Sequence, residues 1–402
     1  MATENKKYIP ALRFPEFQND REWKTDAMET IFDIKNGYTP SKSNPSFWDN
    51  GTIPWFRMED IRKNGHILSD SIQHVTPAAV KNAGLFPAYS IIVATTATIG
   101  EHALIIVDSL ANQQFTFLTK RKSFDNKLDM MYFHYFMFII DEWCKRNTNA
   151  GGLLSVNMDS FKKLTIPYPS SLSEQKKIAD CFVSIDKEID ATKRKLELLK
   201  EHKKGLMQRL FPAKDKTTPE LRFPEFQNDG EWIPRPLSDI LNYEQPTPYI
   251  VEDDTYKKEG TPVLTANKGF ILGYTDESFG IYSKLPVIIF DDFTTDKKYV
   301  DFSFKIKSSA MKLLTLKDEE RDNLRFIFEC MSNILFEEKE HKRYYISEYQ
   351  HINIYVPSSL QEQNQIADTL LSVDKQISEY DKKIKALELH KKGLMQQLFP
   401  KL

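Results

Sequence analysis

The sequence predicts an α+β protein in which two mixed α/β domains are separated by two long helices, packed as an antiparallel coiled coil with approximate two-fold symmetry. Three observations predict it. The segment Pro10-Ala-Leu-Arg-Phe-Pro-Glu-Phe-Gln-Asn-Asp20 returns as Pro219-Glu-Leu-Arg-Phe-Pro-Glu-Phe-Gln-Asn-Asp229. A second segment, Pro169-Ser-Ser-Leu-Ser-Glu-Gln175 running on to Gly205-Leu-Met-Gln-Arg-Leu-Phe-Pro212, recurs from Pro357-Ser-Ser-Leu-Gln-Glu-Gln363 to Gly393-Leu-Met-Gln-Gln-Leu-Phe-Pro400. The two middles thus bracketed, roughly 24–168 and 233–356, differ in length and show no obvious likeness. A scaffold is held by packing, while a recognition surface changes with what it recognises, so a frame kept around diverged contents is one architecture carrying two surfaces. The expected boundaries are 1–168 for the first domain, 169–212 for the first helix, 213–356 for the second domain and 357–402 for the second helix.

The first domain opens on Gly37-Tyr-Thr-Pro-Ser-Lys42 and Trp48-Asp-Asn-Gly-Thr-Ile-Pro-Trp55, with the two tryptophans expected in the core. A β-hairpin is expected over 91–107, with Ala97-Thr-Ile-Gly100 near its turn, and Asn112-Gln-Gln-Phe115 follows. Residues 128–143 read as a buried apolar helix. The run Met130 to Ile140 is broken by His134 and is much shorter than the roughly 20 residues a bilayer span needs. Asn112, Gln113 and Gln114 are candidates for nucleic-acid contact, because amides make bidentate hydrogen bonds to adenine; the competing expectation is a structural role.

From Ile178 the apolar positions step by four and three through Phe182, Ile185 and Ile189, then Thr192, Leu196, Leu199, Leu206 and Leu210. Displaced by 188 residues, the separation of Pro169 from Pro357, the seam repeats as Ile366, Leu370, Val373, Ile377, Tyr380, Ile384, Leu387, Leu394 and Leu398. A period near 3.5 makes the two helices partners. Ser171 with Glu174 and Ser359 with Glu362 have capping-box spacing, and Pro212 and Pro400 mark the ends, giving helices close to 40 residues and on the order of 60 Å long. If one helix leads away from the first domain and the other leads back, they run antiparallel and the chain's end returns near its beginning. Off the seam, Asp180, Ser184, Asp186, Lys187, His202, Lys204 and Gln208 are identical to Asp368, Ser372, Asp374, Lys375, His390, Lys392 and Gln396. Duplication alone accounts for this, or else a repeated docking surface for two copies of one partner. On the second account His202, Lys204, Gln208, His390, Lys392 and Gln396 are the docking candidates.

The second domain carries Gly260-Thr-Pro-Val-Leu-Thr-Ala-Asn-Lys-Gly269, then a buried strand over 287–290 leading into a polar loop. Asp291 and Asp292 invite a metal-site interpretation, but adjacent acids on a strand point to opposite faces. Asn267, Lys268, Thr294, Lys297 and Lys298 are the better candidates, for contacts to nucleic-acid backbone and bases.

Composition sets bounds. With 402 residues, 28% charged and 41% hydrophobic, the chain is ordinary for a soluble protein of two to four domains. The N-terminal residues have no apolar run after their positive charges, so no secretory signal is read there and a cytoplasmic location is expected. Cys144, Cys181 and Cys330 are isolated, without metal spacing, and are taken as structural. A net charge of -2 weighs against purely electrostatic binding of nucleic acid. No phosphate-loop or HExxH motif occurs; Asn44-Pro-Ser-Phe47 is only faintly like a methyltransferase tetrapeptide, and Glu340-His-Lys342 matches a nuclease fragment by chance. The chain is expected to bind rather than transform, with no metal and no cofactor of its own.

Two variable domains, each followed by a near-identical helix ending Gly-Leu-Met-Gln-x-Leu-Phe-Pro, resemble the specificity subunit of type I restriction-modification systems over nearly the whole chain. The junctions Ile166-Pro-Tyr-Pro169 with Glu174-Gln175, and Ile354-Tyr-Val-Pro357 with Glu362-Gln363, are similar to that family's entries into its spacer helices. Gly37-x-Thr-Pro40, Ile53-Pro-Trp55, Ala97-Thr-Ile-Gly100, Asn112-Gln113 and Gly151-Gly152 resemble its target recognition domains, and the second domain lacks most of these motifs. In and beside them, Thr39, Ser41, Lys42, Arg57 and Thr98 join the DNA-binding candidates. The resemblance implies a non-catalytic subunit whose two domains each read half of a split target in double-stranded DNA while the helices fix the gap. It further implies two methyltransferase subunits bringing S-adenosylmethionine, and restriction subunits bringing ATP and Mg. The alternative is a coiled-coil adaptor whose end domains bind proteins or peptides.

Overall fold

The computed structural model describes residues 8–82, 84–149, 155–253, 255–266, 269–337 and 342–402. The chain forms two compact units, Met1–Thr192 with Lys383–Leu402, and Lys193–Lys382.

In the first unit the strands are β1 (Lys24–Ala27), β2 (Phe32–Asn36), β3 (Ile53–Phe56), β4 (Ile67–Leu68), β5 (His74–Val75), β6 (Ser90–Ala94), β7 (His102–Ile105), β8 (Leu110–Ala111), β9 (Phe115–Lys120) and β10 (Thr165–Tyr168). Its helices are α1 (Met28–Ile31), α2 (Met58–Asn64), α3 (Met130–Arg146), α4 (Met158–Lys162) and the opening part of α5 (Leu172–Leu210). They assemble as a five-stranded sheet of order β2-β9-β6-β7-β4, a three-stranded sheet β5-β3-β8 and a ribbon β1-β10. The expected hairpin is β6–β7, with Ser90 opposite Ile105. Every residue of β6 is buried, because α3 covers one face of the sheet while residues of β8 and α2 cover the other.

In the second unit the strands are β11 (Ile233–Pro236), β12 (Leu241–Glu244), β13 (Thr261–Leu264), β14 (Ile271–Thr275), β15 (Val287–Asp291), β16 (Lys297–Val300), β17 (Lys305–Ile306), β18 (Met311–Leu316) and β19 (Asn353–Val356), with helices α6 (Leu237–Ile240), α7 (Leu324–Ser332) and the opening part of α8 (Leu360–Leu398). The sheets are β12-β18-β15-β16, β14-β13-β17 and β11-β19. The expected strand at 287–290 alternates, with Ile288 and Phe290 packed beside α7 residues and Val287 and Ile289 in a second cluster.

The middles that looked unrelated therefore share a topology. Each has a ribbon closing the domain, a sheet in which β2-β9-β6-β7 matches β12-β18-β15-β16, and a small sheet built on a parallel pair, β3 with β8 and β13 with β17. The likeness escapes the sequence because strand pairing is specified by burial pattern and register, which many sequences satisfy.

The seam behaves as the heptads predict. Ile178, Phe182, Ile189, Thr192, Leu196, Leu199 and Leu210 are buried, as are Ile366, Leu370, Val373, Ile384 and Leu398. Within the first unit the helices run antiparallel: Lys391 Nζ lies 2.6 Å from Asp186 Oδ1, Lys383 reaches Glu188 at 2.6 Å, and Phe399 stacks on Phe182. The second unit repeats this with Lys203 on Asp374 at 2.8 Å. The chain's end does return to its beginning, since Leu12 N donates to Gln397 O; in the second unit Leu221 N donates to Arg209 O in the same way.

The capping-box expectation needs correction. Ser171 and Ser359 do cap, accepting from the backbone N–H of Glu174 and Glu362. The two glutamates, however, do not return to the serines. Each turns into the domain to meet an arginine and a tryptophan: Arg13 and Trp23 in the first unit, Arg222 and Trp232 in the second.

Candidate nucleic-acid interface

In the first domain three loops converge. After β2 the chain passes so close to Ala111 and Asn112 that a Cβ on Gly37 would lie 2.4 Å from both carbonyl oxygens. The close approach is fixed by Gly37 N donating to Phe115 O and Tyr38 N to Ala111 O. Trp55, buried as expected, donates Nε1 to Tyr38 O; Trp48 is only half-buried, stands edge-on to Trp55 at 5.0 Å, and donates Nε1 to Ser41 O. Both indoles therefore hold the 38–41 segment in place.

This arrangement brings Thr39 against Gln113, whose side-chain oxygen accepts its hydroxyl proton. Asn112 Oδ1 accepts from Gln114 N and Asn112 Nδ2 donates to Gln114 Oε1, so part of that pair's hydrogen-bonding capacity is local, while Gln113 is exposed. Arg57 stands next to them, since Asn112 N donates to Phe56 O; its guanidinium reaches Glu59 at 3.0 Å. Thr98 is on the β6–β7 turn, whose first residue, Thr95, donates its N–H to Gln114 O. Ser41 pairs with Ser43, and the exposed Lys42 borders a small depression of about 200 Å³ with Trp48 and Gln73. The structure thus joins Thr39, Arg57, Asn112, Gln113 and Gln114 into one polar edge, with Thr98 on the adjoining turn. Its chemistry is amides and hydroxyls with one guanidinium, donors and acceptors of the kind that pair with base edges as well as with phosphates.

In the second domain the corresponding edge differs in chemistry. Lys307 N donates to Leu264 O as Asn112 N does to Phe56 O, which puts Thr265, Lys307 and Ser308 where the first domain has Arg57, Asn112 and Gln113. Sequence reasoning missed these three, because only the parallel β13–β17 pairing reveals their place. Thr294 is exposed on the β15–β16 turn. Lys297 is half-buried, leans toward the Tyr349 ring at 5.6 Å and has its pKa lowered by burial, while Lys298 alternates to the other face of β16. Asn267 and Lys268 lie outside the described residues, as do Gly151, Gly152, Glu340 and His341. Asp291 and Asp292 are structural: Asp291 Oδ1 accepts from Phe293 N and Thr294 N, and Asp292 Oδ1 accepts from Tyr345 N.

On the helices all six docking candidates, His202, Lys204, Gln208, His390, Lys392 and Gln396, are exposed. His202 borders an open groove of about 770 Å³ with Leu206, Asp368 and Ser372. Asp186 and Asp374 have internal duties instead: Asp186 takes Lys391 and the Tyr135 hydroxyl, and Asp374 takes Lys203 and Arg325. Among the described residues no group of His, Cys, Asp and Glu is placed to hold a metal ion, and no helix is long and apolar enough to cross a membrane.

Known proteins resemble the chain in sequence and in fold. It is 49% identical over 152 residues to the EcoprrI type I restriction enzyme specificity subunit of Escherichia coli, which is 38% of each chain, and 49% identical over 146 residues to the EcoR124I/EcoR124II specificity subunit of the same organism, 34% of this chain and 36% of that one. The chain thus spans well under half the length of these relatives in matched sequence. In fold it is similar to the S subunit of a type I restriction-modification system from M. genitalium, with a TM-score of 0.67 at 15% identity over 98% of this chain and 99% of that one. A chain from a structure of type I R-M complex assembly and conformational transition aligns with a TM-score of 0.51 at 12% identity over 94% and 96%. The model of the type I restriction modification DNA specificity domain matches twice, over residues 20–201 and 229–389, each match taking in one middle domain and much of the helix that follows, and by this duplicated match the chain belongs to the type I restriction-modification DNA specificity family.

Proposed function

We propose that the chain is the DNA sequence-specificity subunit of a type I restriction-modification complex and is itself non-catalytic. Each middle domain reads one half of a bipartite target in double-stranded DNA, and the helices set the unread gap. The observation that carries this is the pair of domains alike in topology and different in edge chemistry: amides, hydroxyls and Arg57 in the first, lysines, serine and threonines in the second. Equal scaffolds with unequal polar edges are what two half-sites of different sequence require.

Two methyltransferase subunits dock on the exposed repeated positions His202, Lys204, Gln208 and His390, Lys392, Gln396, and they bring S-adenosylmethionine. Restriction subunits bring ATP and Mg. Enclosure of DNA by these partners supplies the phosphate contacts that a chain of net charge -2 does not provide. The complex works in the cytoplasm, where its DNA is.

Methylation sequencing of DNA from cells expressing the chain with its cognate methyltransferase tests the proposal. The expected result is a split motif carrying methyladenine in both halves, of which one half changes when residues 24–168 or 233–356 are exchanged for those of another member. A single contiguous motif, or a motif unmoved by either exchange, overturns it.

A further inference from the structure

We infer that Gln245, Lys312 and Asp292 form a polar hub that positions the DNA-reading loops of the second domain, with Lys312 and Asp292 buried and Gln245 at the surface, and that Asn36, Thr116 and Thr95 are the same hub in different chemistry in the first, with Asn36 likewise at the surface. The consequence for specificity rests on the function proposed above; the hub itself does not.

Strand register defines the equivalence. Asn36 faces Thr116 across β2–β9, and Gln245, the residue after Glu244, faces Lys312 in the same way, since Glu244 pairs with Leu313. Ala94 pairs with Phe115 and Asp291 with Met311, so Thr95 and Asp292 are the next residue on their strands. The backbone confirms the match. Thr95 N donates to Gln114 O and Asp292 N to Ala310 O; Thr95 O accepts from Val156 N and Asp292 O from Tyr344 N. In both domains this one residue ties the loop before the central strand to a segment arriving from beyond the apolar helix.

The side chains complete the tie to a third loop. In the first domain Thr116 Oγ1 donates to Asn36 Oδ1 at 2.9 Å and lies 3.2 Å from Thr95 Oγ1. In the second, Lys312 Nζ donates to Gln245 Oε1 at 3.1 Å and lies 3.3 Å from Asp292 Oδ2. Lys312 and Asp292 are each 1% exposed and Thr116 is fully buried. The segments so joined are those that carry the edge: the loop after β2 or β12, the turn with Thr98 or Thr294, and the loop with Asn112 to Gln114 or Lys307 and Ser308.

A buried ion pair is a poor source of stability, because desolvation cancels much of its attraction, and apolar residues of similar volume do as well. The first domain holds the same three positions with neutral groups, so the fold does not need charge there. What directional bonds supply and apolar packing does not is a fixed geometry, and a sub-ångström shift in a loop is enough to lose a bidentate contact to a base.

The test uses full-length protein carrying Lys312→Met with Asp292→Asn. The pair leaves no lone buried charge, and the asparagine oxygen still accepts from Tyr345 N, so folding is expected to persist. Hydrogen exchange on the chain reads the hub directly. Amides of 245–250, 292–296 and 307–310 should exchange roughly tenfold faster while β15 and α7 stay protected; unchanged exchange in those loops overturns the hub. Methylation sequencing with the methyltransferase reads the consequence. Discrimination should fall roughly tenfold at bases of one half-site and stay intact at the other, and Thr116→Val should do the reverse. A merely structural role would lower total methylation and leave the motif sharp, which overturns positioning. A wild-type chain that directs no split motif counts against the proposed function instead, and the exchange result still decides the hub.

Discussion

Arg13 and Glu174, 161 residues apart in the chain, form a two-pronged ion pair in which Nε donates to Oε1 at 2.7 Å and Nη2 to Oε2 at 2.7 Å. Trp23 Nε1 adds a third donor at 3.3 Å, and Arg13 Nη1 also holds Asp20 O. Arg222, Glu362, Trp232 and Asp229 repeat the set in the second unit. The two kinds of sequence repeat thus exist for each other: the Leu-Arg-Phe-Pro-Glu-Phe-Gln-Asn-Asp motif supplies the fork and the helix start supplies the carboxylate. Glu174 is 1% exposed, so removing its partner strands a buried charge. Arg13→Ala should therefore destabilise the first unit by about 3–5 kcal/mol. Arg13→Lys should recover only part, because an ammonium cannot make the planar double contact. Urea unfolding curves check both, and a loss under about 1 kcal/mol for the alanine would mean the pair is incidental.

Beside each glutamate is a fully buried glutamine. Gln175 Nε2 donates to Lys127 O at 2.7 Å and Pro169 O at 2.8 Å, and its Oε1 accepts from Asp129 N, the cap of α3. Gln363 does the same with Arg321 O, Pro357 O and Asn323 N. Leucine at position 175 would leave two carbonyls and one N–H without partners. A cost of about 2–4 kcal/mol is expected, and Gln175→Glu should do no better because a carboxylate cannot donate. Thermal melts of both variants check this.

Much of the frame was legible in the sequence and little of the edge was. Heptad spacing gives both helices because burying a seam requires it, and the run from Met130 gives α3 because apolar length has few other uses. Glu174 misled because a local capping box and a distant arginine ask for the same residue at the same spacing. Asn112 to Gln114 stand out in the sequence because amides in a loop carry a chemical signal, and the structure sets them on the polar edge. Thr265, Lys307, Ser308, Gln245 and Lys312 do not stand out, because their meaning depends on pairings between strands distant in sequence.

His102 is buried beside His66, His134 and Phe138, and burial first, then the charges of His66 and Lys391, push its pKa down to about 3. His134 is shifted the same way and for the same first cause. A base whose pKa is depressed by folding is neutral when folded and takes up a proton on unfolding. Its contribution is thus fully present above the unfolded value of 6.5 and is lost as pH falls toward 3, at about 1.4 kcal/mol per pH unit. Urea midpoints between pH 7 and 4.5 should fall less steeply for His102→Leu than for wild type, and parallel slopes would show that His102 does not govern the acid limb.

The three cysteines should separate by reactivity. The Cys144 thiol is pushed up to about 12 by burial and the nearby Asp141, and the Cys330 thiol is also pushed well up by burial beside Glu329. Cys181 is half-buried on the first long helix with a smaller upward shift. At pH 8 a disulfide reagent should modify Cys181 alone in the folded chain and all three thiols in denaturant. Modification of Cys144 or Cys330 under native conditions would reveal local opening of α3 or α7.

The paired helices make the last prediction. If they set the unread gap, removing one heptad from each keeps the seam in phase, because a whole heptad returns every apolar position to the same face. Seven residues at 1.5 Å each shorten the separation by about 10 Å, which is about three base pairs of duplex. Methylation sequencing should then show the same two half-sites with a gap shorter by about three. Removing two residues instead turns the following part of the seam by about 200°, away from its partner, and should abolish methylation rather than reset the spacing. An unaltered gap in an active seven-residue deletion would mean that something other than the helices measures the target.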